Sequence, residues 1–266
     1  MILFVTSLIA LISYGLGTVR QSQVYLGRAE QHPFFTLTVG LAAATLHFAA
    51  NLLMLDTRQG FSLDLLDSMS FITNLIVAVL LFLSRRKPVQ NLLLVGYPLA
   101  MVALLLALFL EPPSHRVQQA QAGILLHASL SIVAYSIFSV AALQALLLFI
   151  QNKQLKTHIS SRLIKALPPL QTMESMLFET IWAGMLLLTL SILTGALFIE
   201  DLFAQHLVHK TAFSLIAWVI FSILLLGRHI YGWRGPTASR WTLGGTIVLM
   251  LGYLGSKLVL ELILQR

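Results

Sequence analysis

Cysteine is absent from the 266 residues. Its absence excludes disulfide exchange, thiolate ligation of a metal and covalent haem attachment through a C-x-x-C-H sequence. Charge is scarce as well: only 10% of residues are Asp, Glu, Lys or Arg, against 58% hydrophobic. No polar stretch is long enough to fold as a soluble domain, so the chain reads as one membrane-embedded domain over 1–266. Nor is there a nucleophile paired with a base, a mid-depth cluster of metal ligands or a usable phosphate loop, and the sequence is not read as an enzyme.

The long apolar runs are what remain, and they dictate the fold class: all-α, a polytopic membrane helix bundle. Backbone groups inside hydrocarbon must pair within their own segment, which leaves helices for a chain of this pattern. Windows of about 20 apolar residues give eight spans, at 2–19, 34–55, 69–83, 92–110, 122–150, 176–199, 211–227 and 241–264. The third is short and is expected to begin earlier, within 63–68. The first has no basic region before it and reads as a retained span, not a cleaved leader.

The net charge of +7 is spread between hydrophobic segments with no aromatic and basic motif around it, so nucleic acid is not an expected partner. Sorted by alternate loops, 12 of the 17 basic residues fall on one side: Arg20, Arg28, Arg85, Arg86, Lys87, Lys153, Lys156, Arg162, Lys165, Arg228, Arg234 and Arg240. The positive-inside rule makes that side cytoplasmic and puts both termini on the outer, periplasmic face. The connection 151–175 carries Leu155, Ile159, Leu163 and Leu167 among Lys and Arg, the pattern of a short interfacial helix ending before Pro168-Pro169. Contact with anionic lipid is its plain role and docking of a soluble partner the alternative.

Two ionisable residues interrupt the spans. His47 and His127 fall at similar expected depths, roughly 8–12 Å below the outer surface at 1.5 Å per residue. Imidazoles within hydrocarbon line a cavity, meet a partner or bind something, and two neutral ones facing each other can grip haem iron. The competing reading is a pair of packed core histidines, satisfied by Asn51 and Ser131 one turn away. Lys257, about 16 residues into the last span, could reach outward to a haem propionate, or pair with Glu261 four residues on. Arg58 is a weaker candidate of the same kind. His206 and His209, beside Asp201, lack a third convincing ligand and read as loop histidines. Trp218 reads as a packing residue in mid-span, and glycines such as Gly195, Gly244, Gly245, Gly252 and Gly255 as points of close helix approach.

The stretch Gly123-Ile-Leu-Leu-His127-Ala-Ser-Leu-Ser-Ile-Val-Ala-Tyr135-Ser resembles the histidine-bearing helix of the CcsA/HemX-like cytochrome c assembly superfamily. Thr194-Gly195-Ala196, the run from Lys210 to Trp218, and Gly232-Trp233-Arg234-Gly235 follow the order and spacing of that family. The likeness covers about 41–260 and is nearest to the small inner-membrane YpjD branch. It implies a multi-pass inner-membrane, haem-handling protein in which His127 is an axial ligand near the outer face. It also implies non-covalent haem b as cofactor, with lipid and a cytochrome-assembly or other membrane protein as partners.

The departures limit what the resemblance implies. The loop 200–209 contains no Trp where haem exporters of the family carry a Trp-rich presentation loop. Gly227 and Gly255 stand about where two family histidines are expected. The expected function is therefore a haem carrier, sensor or accessory assembly factor, with a cofactor-free regulatory subunit as the alternative. A small-solute transporter is less favoured, since no internal repeat is evident.

Overall fold

A computed structural model describes residues 1–57, 65–85, 87, 89–110, 122–156, 168–198 and 208–255. Among them the secondary structure is helical throughout. The helices are α1 (Ile2–Tyr25), α2 (Pro33–Thr57), α3 (Leu65–Ser84), α4 (Leu93–Phe109) entered through a 3-10 turn (Gln90–Leu92), α5 (Ala122–Lys156), α6 (Leu170–Phe198), α7 (Val208–Tyr231) and α8 (Gly235–Met250). A π-helical turn (Leu251–Gly255) continues α8. Seven helices are long and apolar enough to cross a membrane. The eighth expected span is described for the 16 residues of α8 and the π turn, and its remainder lies outside the described residues.

The boundaries follow local chemistry. α3 begins at Leu65, inside the stretch where an early start was expected. α5 runs unbroken for 35 residues to Lys156, six beyond the expected end, because nothing between Ile150 and Lys156 stops a helix. Lys153 and Lys156 in its last turn suit the negative end of the helix dipole. The interfacial helix expected around Ile159–Leu167 lies outside the described residues. At the other extreme, α7 and α8 are separated by only three residues. Gly232 there takes φ 65°, a left-handed conformation that costs other residues about 1–2 kcal/mol. Arg234 is extended and Pro236 opens α8 in the first turn, where its missing N–H is harmless.

The chain divides into two compact units, α1–α4 and α5–α8. In the first, α1 packs on α2 and α4, and α3 on α2 and α4. In the second, α5 packs on α6 and α8, and α7 on α6 and α8. The cores bury large apolar side chains such as Leu80, Leu104, Phe138 and Leu177, while α1 and α8 are mainly small or polar on their inner faces. The buried residues of α1 are Ser7, Ala10, Tyr14, Gly17 and Gln21, while Phe4, Ile12, Leu16 and Val19 are exposed. The buried face of α8 is Gly235, Ala238, Ser239, Thr242, Gly245, Thr246 and Leu249. Small residues let helices approach closely and polar ones bond across or back onto the helix, whereas lipid accepts the large apolar side chains.

Candidate functional site: two buried histidine environments

His47 lies in the core of the first unit, ten residues before the end of α2, with no exposed surface. Both of its ring nitrogens are engaged. Nδ1 meets the Tyr14 hydroxyl of α1 at 3.2 Å, and Nε2 meets the Ser70 hydroxyl of α3 at 2.8 Å. Ser70 in turn donates to Asn51 Oδ1 at 2.7 Å. Asn51 therefore reaches His47 through Ser70, not directly as its one-turn spacing suggested. The Asn51 amide nitrogen is buried and finds no acceptor among the described residues. Nearby, Asn74 donates to the Ala44 carbonyl at 2.8 Å and ties α3 to α2.

Tyr14 is held from the other side by Tyr97 of α4, with ring centroids 5.7 Å apart. Two glycines make room for Tyr97. A Cβ on Gly17 would lie 2.7 Å from the Tyr97 ring, and one on Gly40 would lie 2.5 Å from its hydroxyl. The position of Tyr14, and so of the group on His47 Nδ1, thus depends on close packing of α1, α2 and α4.

His127 belongs to the second unit, five residues after the start of α5, and is half-buried. Its Nδ1 lies 2.8 Å from the Ser191 carbonyl of α6. A carbonyl only accepts, so Nδ1 carries the proton and the neutral ring presents its lone pair at Nε2. No described residue bonds that Nε2. The ring rests on Gly195, where a Cβ would lie 3.0 Å from both Nδ1 and Cε1. Ser131 does not satisfy the imidazole as its spacing suggested. It donates to the His127 carbonyl at 2.8 Å and contacts the Ser191 hydroxyl at 2.7 Å, tying α5 to α6 at the residue that holds the ring.

An imidazole with N–H on a backbone carbonyl and an open Nε2 is the arrangement in which histidine ligates haem iron, since the outer hydrogen bond fixes tautomer and ring orientation. The His127 environment fits that role as it stands. The His47 environment offers an oriented imidazole with no open nitrogen. Lys257, Arg58 and His206 lie outside the described residues. His209 is exposed on α7, and no group of three metal-ligating side chains forms among the described residues. Trp218 packs as expected, donating from its indole to Thr189 at 2.9 Å. Tyr14, Ser70 and the Ser191 carbonyl were not singled out by the sequence, because each lies on a different helix from the histidine it serves.

The family profile described as cytochrome C assembly protein matches residues 38–264, running through both units. The chain belongs to that family. The inner membrane protein YpjD of Escherichia coli K12 is 32% identical over 208 residues, 78% of this chain and 79% of its own length. Protein HemX of Brevibacillus brevis is 26% identical over 159 residues, 58% of each chain. The cytochrome c biogenesis protein CcsA of Guillardia theta is 24% identical over 283 residues, 96% of this chain and 90% of its own. No solved structure matches. With its apolar helices, the chain is a multi-pass protein of the bacterial inner membrane.

Gly227, where the resemblance led us to expect a histidine, is covered by the Trp233 ring: a Cβ there would collide with Cε3. Trp233 stacks in turn on Trp241 at 5.3 Å, and its carbonyl accepts from Arg228 at 3.2 Å. The space of that side chain is taken by an aromatic stack. Among the expected close-approach glycines, Gly195, Gly245 and Gly252 each face a neighbouring side chain, while Gly244 faces open space.

Proposed function

We infer that this cytochrome c assembly family protein binds non-covalent haem b through His127 and His47, and serves as a haem carrier, sensor or accessory factor in cytochrome assembly. The observation that carries the reading is the 2.8 Å contact between His127 Nδ1 and the Ser191 carbonyl, which leaves Nε2 as the ligating atom. His47 would be the second ligand in this reading, which requires one of its ring nitrogens to give up its hydrogen bond to Tyr14 or Ser70. The distribution of basic residues supports an outer-leaflet position for the site. Lys257, outside the described residues, is the candidate cation for a haem propionate. Bound haem would supply a redox-active iron; the chain's own part would be to orient the imidazoles and surround them with apolar side chains that tune it.

The test is to purify the full chain in mild detergent from haem-replete cells and record oxidised and reduced spectra. The native protein is expected to show a haem b spectrum, and His127→Ala is expected to lose most of the bound haem. A native chain that stays colourless with added haem would overturn the reading and leave a cofactor-free regulatory or scaffold subunit.

A further inference from the structure

The corner between α7 and α8 carries Arg228, Arg234 and Arg240 around an aromatic stack. Trp233 stacks on Trp241 at 5.3 Å and on Tyr231 at 6.4 Å, so the three rings form one wall. Arg228 is committed to the fold: its guanidinium lies 4.8 Å over the Phe178 ring and donates to the Trp233 carbonyl at 3.2 Å. Arg234 and Arg240 are not. Both are exposed, and no described residue bonds either guanidinium. Of the two acids described in this unit, Glu174 accepts from the Gly235 N–H at 2.8 Å, and Glu179 is exposed on α6.

Arg240 stands where an arginine is costly. It lies six residues beyond Arg234, about 9 Å along the axis at 1.5 Å per residue. The exposed positions of α8 are Thr237, Arg240, Gly244 and Ile247, with Leu251 following in the π turn, and spacings of three and four make them one stripe. Beyond Arg240 that stripe is apolar, as suits a face turned to lipid. A guanidinium there must be paired or must reach a headgroup. Gly244, one turn further in, faces open space, so the stripe is notched directly below the arginine. An acyl chain fits such a notch, and a soluble anion gains nothing from it.

We propose that this corner binds one anionic phospholipid, with its phosphate held by Arg234 and Arg240 beside the tryptophan stack and an acyl chain lying along Gly244, Ile247 and Leu251. Guanidinium groups match phosphate oxygens in geometry as well as charge, and tryptophan favours the headgroup level. The distribution of basic residues supports a cytoplasmic position for the corner, where basic pockets beside membrane helices attract acidic headgroups. The site uses residues of one compact unit alone and does not depend on the haem-binding reading.

Native mass spectrometry of the full chain, delipidated in mild detergent and titrated with phosphatidylglycerol, tests this. One bound lipid is expected to stand out above the even ladder of loose adducts. Arg240→Gln and Gly244→Leu should each lower that species severalfold, the first by removing charge and the second by filling the notch. Arg85→Gln, at an exposed arginine of the other unit, should leave it unchanged. Phosphatidylethanolamine, with the same phosphate but no net charge, should bind severalfold less, and glycerol phosphate, with no acyl chain, should not displace the lipid. Equal losses in Arg240→Gln and Arg85→Gln, or no loss in either, overturn the site, because any interfacial cation would then serve. Equal retention of the two lipids overturns it as well. Displacement by glycerol phosphate would reveal a site for soluble phosphate, and full retention by Gly244→Leu a headgroup contact without a chain groove; each overturns the proposal. Thermal melting in detergent checks the fold of the variants. A Cβ at Gly244 meets nothing within 4 Å and leucine is the better helix former, so Gly244→Leu should melt no lower than the native chain.

Discussion

At the scale of single residues, each histidine depends on one neighbour whose loss has a calculable effect. Ser70→Ala removes the hydroxyl that meets His47 Nε2 and strands Asn51 Oδ1 in the same step. Stranded buried groups cost about 1–3 kcal/mol, so thermal unfolding in detergent should fall by several degrees. Thr45→Ala, at an exposed hydroxyl bonded only within its own helix, should change it little. Gly195→Ala would put a methyl group 3.0 Å from the His127 ring. The imidazole must then tilt off the Ser191 carbonyl, and the variant should bind haem more weakly while melting within a few degrees of the native protein; a visible-spectrum titration checks this.

The histidines were legible in the sequence because an ionisable residue stands out in an apolar run. Their partners were not. Tyr14 is 33 positions from His47 and Ser191 is 64 from His127, and nothing in local spacing links residues that only helix packing brings together. Asn51 and Ser131 were expected to satisfy the rings directly, but one turn along a helix placed Asn51 against Ser70 and Ser131 against Ser191 and the His127 carbonyl.

At the scale of elements, the helical type and seven of the eight expected spans followed from hydropathy, the eighth being described only in part, while the ends did not, since hydropathy does not register how far a helix continues past the apolar window. α5 shows this with its six residues of polar extension. The tight link between α7 and α8 is a second case: Gly232 and Gly235 read as part of a motif, and the structure shows why glycine is used, with φ 65° and 48°. A Cβ on Gly232 would meet nothing within 4 Å, so Gly232→Ala carries only backbone strain. It should cost about 1–2 kcal/mol, with Gly232→Asn milder because Asn tolerates the left-handed region. Gly227→Leu should be far more damaging, since it must displace Trp233 from its stack. Thermal melts of the three variants rank them.

For the whole molecule, the charge pattern makes a directional statement that the absence of cysteine renders easy to check. Single cysteines can be introduced with no background. Asp56→Cys is expected to react with a membrane-impermeant maleimide in intact cells, whereas Arg85→Cys and Lys156→Cys should react only after the membrane is opened. The reverse pattern would invert the assigned topology and move both histidines relative to the two membrane faces.

The hydrocarbon around the helices bears on how this protein would lose its structure. In a water-soluble protein, unfolding uncovers apolar surface and brings a large positive heat-capacity change. Here the faces that separate carry Leu80, Leu104, Phe138 and Leu177 as well as Ser7, Ala10 and Thr242, but they part into hydrocarbon, and Phe4, Ile12 and Leu16 keep a hydrocarbon neighbour throughout. Parting the helices within a bilayer wets almost no new apolar area. Its stability should therefore vary almost linearly with temperature and show no cold-side decline, in contrast to the curved profile of a soluble domain of the same length.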